Sequence, residues 1–273
     1  MSDMTHLIDT VPLWSIALLL FLFFAAIMLA ARVIAVRRCS DDESREKLSD
    51  ESIRLLTGLA ATFAFFVGFA ITVTWGAVAV GQTAVEQQSS AVRNMNWGIN
   101  NIPDEAEGAR LKEKLTVYVR AAAYDDASYL AKGQTGRLPS AIPLDRFQDA
   151  LHTYAFGPNT PKAEVSSLVS AAGTLGSTAS TVSAVAQRNL PSVLAILLLA
   201  SGILVAVVMG ISTVNSRHPS LMLAWSVVPA LSITVVVALA SPFATRTNTG
   251  VSLKPMETVY WQLSQHERVS IDQ

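Results

Sequence analysis

The residues that could carry out catalysis form no familiar constellation in this sequence. It contains no HExxH zinc motif, no GxSxG nucleophile motif, no GxxxxGK[ST] phosphate loop and no paired cysteines. Asp125 and Asp126 are adjacent, so on a helix their side chains point about 100° apart and do not form a catalytic carboxylate pair. A solvated helix face is the simpler interpretation of these two residues. We therefore predict that the protein is not an enzyme and holds no metal or cofactor.

Four long apolar runs also lack ionisable side chains. They occupy residues 11–31, 55–75, 191–211 and 221–240, and none contains Asp, Glu, Lys, Arg or His. Proton relays and ion-coupled carriers use ionisable residues within the membrane, so their absence counts against both. A path along which ions pass hydroxyls, backbone dipoles and aromatic edges is still compatible with this composition.

The second run, which includes ATFAFFVGFAITVTW, has two different faces when it is placed on a helix. One face alternates small, hydroxyl and aromatic residues: Gly58, Thr62, Phe65, Phe69, Thr72 and Gly76. The opposite face is uniformly apolar, and we expect it to meet lipid: Phe63, Val67, Ala70, Ile71 and Val78.

The mixed face has two interpretations. In the first it packs on neighbouring spans of the chain; in the second several copies of it surround an axis. In the second case Phe65 and Phe69 form a hydrophobic constriction and Thr62 and Thr72 form hydroxyl rings. The pore-lining candidates are then Thr62, Phe65, Phe69, Thr72 and Gly76.

Small residues repeat every four positions in the second and third runs. Such small-xxx-small rows let helix backbones approach closely. We predict helix packing along Ala60, Ala64 and Gly68 in the second run and along Gly202, Ala206 and Gly210 in the third.

These runs must be positioned as membrane spans. With 51% hydrophobic and 15% charged residues the chain is too apolar for an ordinary soluble protein, and each run has the roughly 20 residues needed to cross a bilayer. We predict an all-α integral membrane protein with four transmembrane helices and a helical soluble insert between the second and third. The segments are 1–81 (two spans and a charged hairpin), 82–189 (insert), 190–243 (two spans) and 244–273 (tail with a short amphipathic helix).

The insert is predicted to be helical throughout. Nothing breaks the pattern between Trp75 and Val85, so the second span continues into the insert as one long helix. Thr160 and Pro161 indicate the start of the last insert helix. Its apolar seam allows close packing either within the chain or between copies: Val165, Leu168, Ala172, Leu175, Ala179 and Val182. The insert has ten basic and ten acidic residues, which does not indicate a nucleic-acid partner.

The basic residues predict an orientation. The segment 32–54 carries six of them, whereas none precedes the first span. By the positive-inside rule the loop 32–54 is cytoplasmic, while the N-terminus and the insert are outside a bacterial inner membrane.

Several stretches resemble the bestrophin-like family of prokaryotic membrane proteins, distant relatives of the bestrophin anion channels. They are VGFAITVTWGAVAVGQTAVEQQSSAVRNMNWGINNIP, LKEKLTVYVRAAAYDD, RNLPSVLAILLLASGILV and ASPFATRTNTGVSLKPMETVYWQL. The resemblance covers most of the chain from about Leu55 and implies four spans and a homo-oligomer, pentameric in bestrophins, around the second span. It implies neck positions that Phe65 and Phe69 could occupy. No acidic calcium-clasp motif is recognisable, so calcium gating is not implied.

The resemblance conflicts with the predicted orientation, because bestrophins keep their termini and soluble region in the cytosol. We keep the orientation predicted from the arginines, since the positive charge of short loops directly governs how the chain inserts into the membrane.

Two functions follow from the sequence. The first is an oligomeric ion channel, selective for an anion such as chloride, with the second span lining the pore and the lipid bilayer and other copies as partners. The alternative is a membrane scaffold or sensor whose insert binds a partner and whose spans do not conduct.

Overall fold

All regular secondary structure is helical in the part of the chain that the computed structural model describes, which is residues 12–39, 41–157, 162–188, 190–216, 220–244 and 250–271. No strand occurs in those ranges, and the predicted all-α class is confirmed. The helices are α1 (Leu13–Arg38), α2 (Asp42–Asn100), α3 (Glu105–Arg120), α4 (Ala127–Ala131), α5 (Ala141–Ala155), α6 (Lys162–Ala186), α7 (Ser192–Ser212), α8 (Ser220–Leu239) and α9 (Lys254–Ile271).

α2 is a single helix of 59 residues. It confirms that the second span runs on into the insert. It also begins earlier than predicted, because most of the segment 32–54 is helix rather than loop. α1 extends to Arg38, and the carboxylate of Asp41 accepts a hydrogen bond from the backbone N–H of Ser44 at 3.0 Å, which caps the first turn of α2.

The short connection between α1 and α2 is fastened by an arginine. Nε of Arg45 donates to the carbonyl of Cys39 at 3.0 Å, and its Nη2 donates to the carbonyl of Val36 at 3.4 Å. These carbonyls lie at the end of α1, where a helix has no intrahelical donors left. Arg37 and Arg38 in the last turn of α1 add a favourable interaction with the helix dipole.

Three helices are long and apolar enough to cross a membrane: α1, α2 and α7. The apolar part of α8 among the described residues, Leu223–Leu239, is shorter. Three of the four predicted spans therefore meet the length criterion in the described part of the chain.

The chain divides into two compact units, of which the first comprises residues 1–76 and 189–240. In it α1 packs against α7 and α8. Glycines permit this closeness: a Cβ on Gly202 would lie 3.2 Å from the ring of Phe24, and one on Gly210 would clash with the carbonyl oxygen of Met28. Ala206, one turn from each, is fully buried. The small-residue row of α7 thus lies against α1.

The second unit comprises residues 77–188 and 241–273. α3 packs against α5 and α9, and α5 packs against α6. The seam of α6 points inward, with Leu168, Leu175 and Val182 buried within the chain, and a Cβ on Gly98 would lie 2.6 Å from the Leu168 side chain. Of the two packing modes left open, the structure shows the one within the chain. Thr160 and Pro161 lie outside the described residues.

Candidate functional site

The mixed face of α2 is uncovered within the chain. Phe65 is 68% exposed and Phe69 52%, and Thr62, Thr72 and Gly76 are exposed as well. A Cβ added to Gly58, Gly68 or Gly76 would have no heavy atom of another element within 4 Å. Ala64 is exposed and Ala60 half-buried, so the small-residue row of α2 lies mainly at the surface of the protomer.

The opposite face of α2 is buried, and the expectation that it faces lipid is wrong. Phe63 is 6% exposed and Ala70 is fully buried, both in the core cluster of the first unit, and Val67 and Ile71 pack against that cluster. Val78 is buried as well. Lipid and a packed helix interface are equally apolar, so a uniformly apolar face does not distinguish them.

The polar atoms of the uncovered face are satisfied within α2. The hydroxyl of Thr62 donates to the carbonyl of Gly58 at 2.9 Å, and that of Thr72 donates to the carbonyl of Gly68 at 2.9 Å. The rings of Phe65 and Phe69 stack nearly parallel, with centroids 6.5 Å apart and planes at 8°. This face presents hydroxyl oxygens, exposed glycine backbone and a pair of aromatic rings.

This surface differs in kind from the other exposed parts of the apolar helices. α1 exposes large side chains such as Leu18, Leu19 and Leu22, and α7 exposes Val193 and Ile196. Such side chains match lipid tails. The uncovered face of α2 instead exposes three glycines and two threonines.

The uncovered face of α2 continues into the insert as uncharged polar residues that the sequence analysis did not single out. Thr83, Gln87, Ser90 and Asn94 follow Gly76 at helical spacing and are exposed. Gln87, Ser90 and Asn94 border a groove of about 710 Å³ whose other wall is the hydroxyl-rich side of α6, including Ser170 and Thr174. The signal was the absence of charge at these positions.

Asp126 was predicted to lie on a solvated helix face, and this is wrong, although it holds for Asp125. Asp126 is 4% exposed, whereas Asp125 is exposed. A π-helical turn, Ala121–Asp125, directly precedes Asp126, whose N–H donates to the carbonyl of Ala121 at 3.0 Å. No group of three or more potential metal-ligating side chains occurs among the described residues.

The Bestrophin-like domain model matches residues 16–248, which is most of the chain. The chain belongs to the bestrophin-like family. The family resemblance read from the sequence is therefore confirmed, and this family member is a membrane protein.

Solved structures show the same fold as this bestrophin-like chain. A bacterial bestrophin homologue from Klebsiella pneumoniae shares 13% identity with a TM-score of 0.66, covering 89% of this chain and 96% of that chain. A tryptophan-to-alanine variant of that homologue shares 12% identity with this chain at a TM-score of 0.69, and the match covers 89% of this chain and 95% of the variant. A crystal structure described only as a membrane protein variant shares 13% identity with this chain at a TM-score of 0.69, and the match covers 89% of this chain and 97% of that chain. No curated protein matches the chain in sequence.

Proposed function

We propose that this bestrophin-like protein is a homo-oligomeric ion channel with four transmembrane helices, in which α2 lines the pore. The observation that carries the proposal is the uncovered face of α2, where glycines, threonines and a stacked phenylalanine pair are exposed between helices that otherwise expose large aliphatic side chains. Lipid chains make few van der Waals contacts with a face of small residues, whereas the helix backbone of another copy of α2 can approach it closely. A pentamer follows by analogy with bestrophins.

Within that assembly Phe65 and Phe69 form the constriction. Rings of hydrophobic side chains gate pores by excluding water. The hydroxyls of Thr62 and Thr72 lie on the two sides of this pair, and Gly76 follows toward the insert. These five residues remain our pore-lining set, and Ala60, Ala64 and Gly68 are the contacts through which neighbouring copies pack.

We propose that the permeant ion is an anion such as chloride. The apolar stretch of α2, residues 55–75, contains no carboxylate that would attract cations. The edges of phenylalanine rings carry partial positive charge, which favours an anion at the constriction. Bestrophins, with which this chain shares its family, are anion channels.

We propose that the α1–α2 connection faces the cytoplasm and that the insert lies outside. Arg37 and Arg38 are exposed at the end of α1, and Arg45 lies at the start of α2, so the positive charge is concentrated at this end of the two helices. The positive-inside rule places such an end in the cytoplasm.

The channel proposal is tested by reconstituting the purified oligomer into vesicles and measuring chloride efflux and single-channel currents. Phe65→Ala and Phe69→Ala widen the constriction and are expected to increase conductance or to change anion selectivity. Phe23→Ala removes a ring from the exposed surface of α1 and serves as the matched control that leaves currents unchanged. A folded oligomer that passes no ions at any voltage, pH or calcium concentration would overturn the proposal.

The scaffold alternative is favoured by the groove between α2 and α6. Trp97 at its border is 71% exposed, and large exposed aromatic residues are enriched at protein interfaces. If the protein is a scaffold, crosslinking from Trp97→benzoylphenylalanine in native membranes recovers one specific partner from an oligomer that is electrically silent. Recovery of this chain alone contradicts it.

A further inference from the structure

The second unit contains a cavity that the channel proposal does not use. It has a volume of about 450 Å³, within the usual range for small-molecule sites. Three of the polar side chains in its wall are themselves more than nine-tenths buried, namely Gln88 at 6%, Asp126 at 4% and Ser140 at 7% exposure. A cavity whose wall buries polar groups has lost the hydration of those groups, so a polar occupant can recover it.

The wall of this cavity is rich in hydrogen-bond acceptors. Nε2 of Gln88 donates to the hydroxyl of Tyr118, and Nε2 of Gln187 donates to the hydroxyl of Thr135, so both amides turn their donor atoms to other protein groups. The amide oxygens remain as acceptors. Asp126 contributes two carboxylate oxygens, each with more than one acceptor site.

The ionisable side chains described in the cavity wall are acidic. Asp126 and Asp145 both line it, and no Lys, Arg or His is among its described lining residues. Burial raises the pKa of Asp126, its hydrogen bonds with Ser140 lower it, and the neighbouring charge of Asp125 raises it further. A bound cation would relieve the cost of ionising Asp126 in this environment.

Asp126 is held in place by the turn that precedes it and by Ser140, which follows it in the chain. The π-helical turn precedes it, and such turns are frequent at functional sites. Its two oxygens accept from the backbone N–H of Ser140 at 3.0 Å and from the hydroxyl of Ser140. The carboxylate is therefore preorganised and cannot turn away into solvent.

We propose that this cavity binds a small organic ammonium ion, with Asp126 as the anionic partner of the ammonium group and the amide and hydroxyl oxygens as further acceptors. A bare metal ion fits less well, because the space is far larger than one ion and offers one buried carboxylate. The proposal is independent of conduction and concerns a ligand site in the second unit.

The test is calorimetric titration of the purified full-length protein with putrescine, a diammonium ion, and with 1,4-butanediol, which has the same length and no charge. Putrescine is expected to bind and butanediol is not. Charged hydrogen bonds contribute more than neutral ones, so Asp126→Asn is expected to weaken putrescine binding about tenfold or more. Asp125→Asn, one residue away on the exposed side and outside the cavity wall, is the matched control that retains affinity.

A second variant keeps the proposal testable if Asp126→Asn does not fold. Ser183 lines the cavity, and its hydroxyl donates only to the carbonyl of Ala179 in its own helix at 3.0 Å. Ser183→Leu leaves Asp126 unchanged, places a bulky apolar side chain in the cavity wall, and is expected to weaken putrescine binding. Equal binding of both probes, binding unchanged in Ser183→Leu, or no binding by the folded wild-type protein each overturns the proposal.

Discussion

Phe63 and Phe65 are two positions apart on α2, yet the first is 6% exposed and the second 68%. On a helix two positions separate side chains by about 200°, so the two rings lie on opposite sides. One belongs to the core of the first unit and the other to the surface that we propose lines a pore.

Substitution of the two rings should therefore separate stability from conduction. Phe63→Ala leaves a cavity among packed helices and is expected to cost about 2 kcal/mol, since the packing loss persists even where lipid is as apolar as the core. Phe65→Ala is expected to change the stability of the protomer by less than about 0.5 kcal/mol. Thermal unfolding in detergent measures the first effect, and currents in bilayers measure the change that Phe65→Ala causes. Equal destabilisation by both would contradict this assignment of faces.

Glycine substitutions should separate packing within the chain from packing between copies. In Gly210→Ala the new methyl group meets the backbone oxygen of Met28, which cannot move aside cheaply, and we expect a loss of about 1–3 kcal/mol. Gly68→Ala places its methyl group in open space within the protomer. We expect Gly68→Ala to leave the protomer intact and to weaken the oligomer, as measured by native mass spectrometry in detergent. An oligomer unaffected by Gly68→Ala or by a larger residue at that position would argue against α2 contacts.

The stability of the insert should fall as the pH rises above the ordinary pKa of an aspartate. Burial raises the pKa of Asp126 in the folded protein, so the folded state keeps its proton after the unfolded chain has lost it. The contribution is fully present below pH 3.8 and is lost as the pH rises through the raised pKa of the folded state. Asp126→Asn keeps an acceptor for the Ser140 N–H and should remove this part of the pH dependence, whereas Asp125→Asn should retain a slope. Chemical unfolding across pH 3 to 7, followed by Trp fluorescence, measures it; parallel curves for wild type and Asp126→Asn would refute it.

The orientation can be tested with two single-cysteine proteins. Native Cys39 lies at the α1–α2 connection and is half-buried, and Glu113 is exposed on α3. A membrane-impermeant maleimide added to intact cells should label Glu113→Cys in a Cys39→Ser background and should not label Cys39 in the wild-type protein until the membrane is opened. The reverse labelling pattern would place the insert in the cytoplasm.

Features encoded within one segment could be predicted from the sequence, whereas features that depend on contacts between distant segments could not. The uncharged runs identified helices because a bilayer imposes length and polarity on each segment separately. The side on which α2 is buried was not predictable, because the faces around Phe63 and Phe65 are both compatible with lipid. The burial of Asp126 depends on a π-helical turn and on Ser140, 14 positions later, and neither gives a periodic signal. The helix over the charged segment after Asp41 was missed because charge was taken as a loop signal, although Glu and Lys are good helix formers.

The continuity of α2 has a consequence for insertions and deletions. Within the second unit its buried positions Val85, Val92 and Ile99 recur every seven residues, close to two helical turns. Deleting one residue between Val85 and Val92 would turn Val92 and Ile99 by about 100° relative to Val85 and take them off the buried face. Adding seven residues there, close to two turns, would keep the alignment to within about 20°. Length variants of this part of α2 should therefore be tolerated in steps of whole turns.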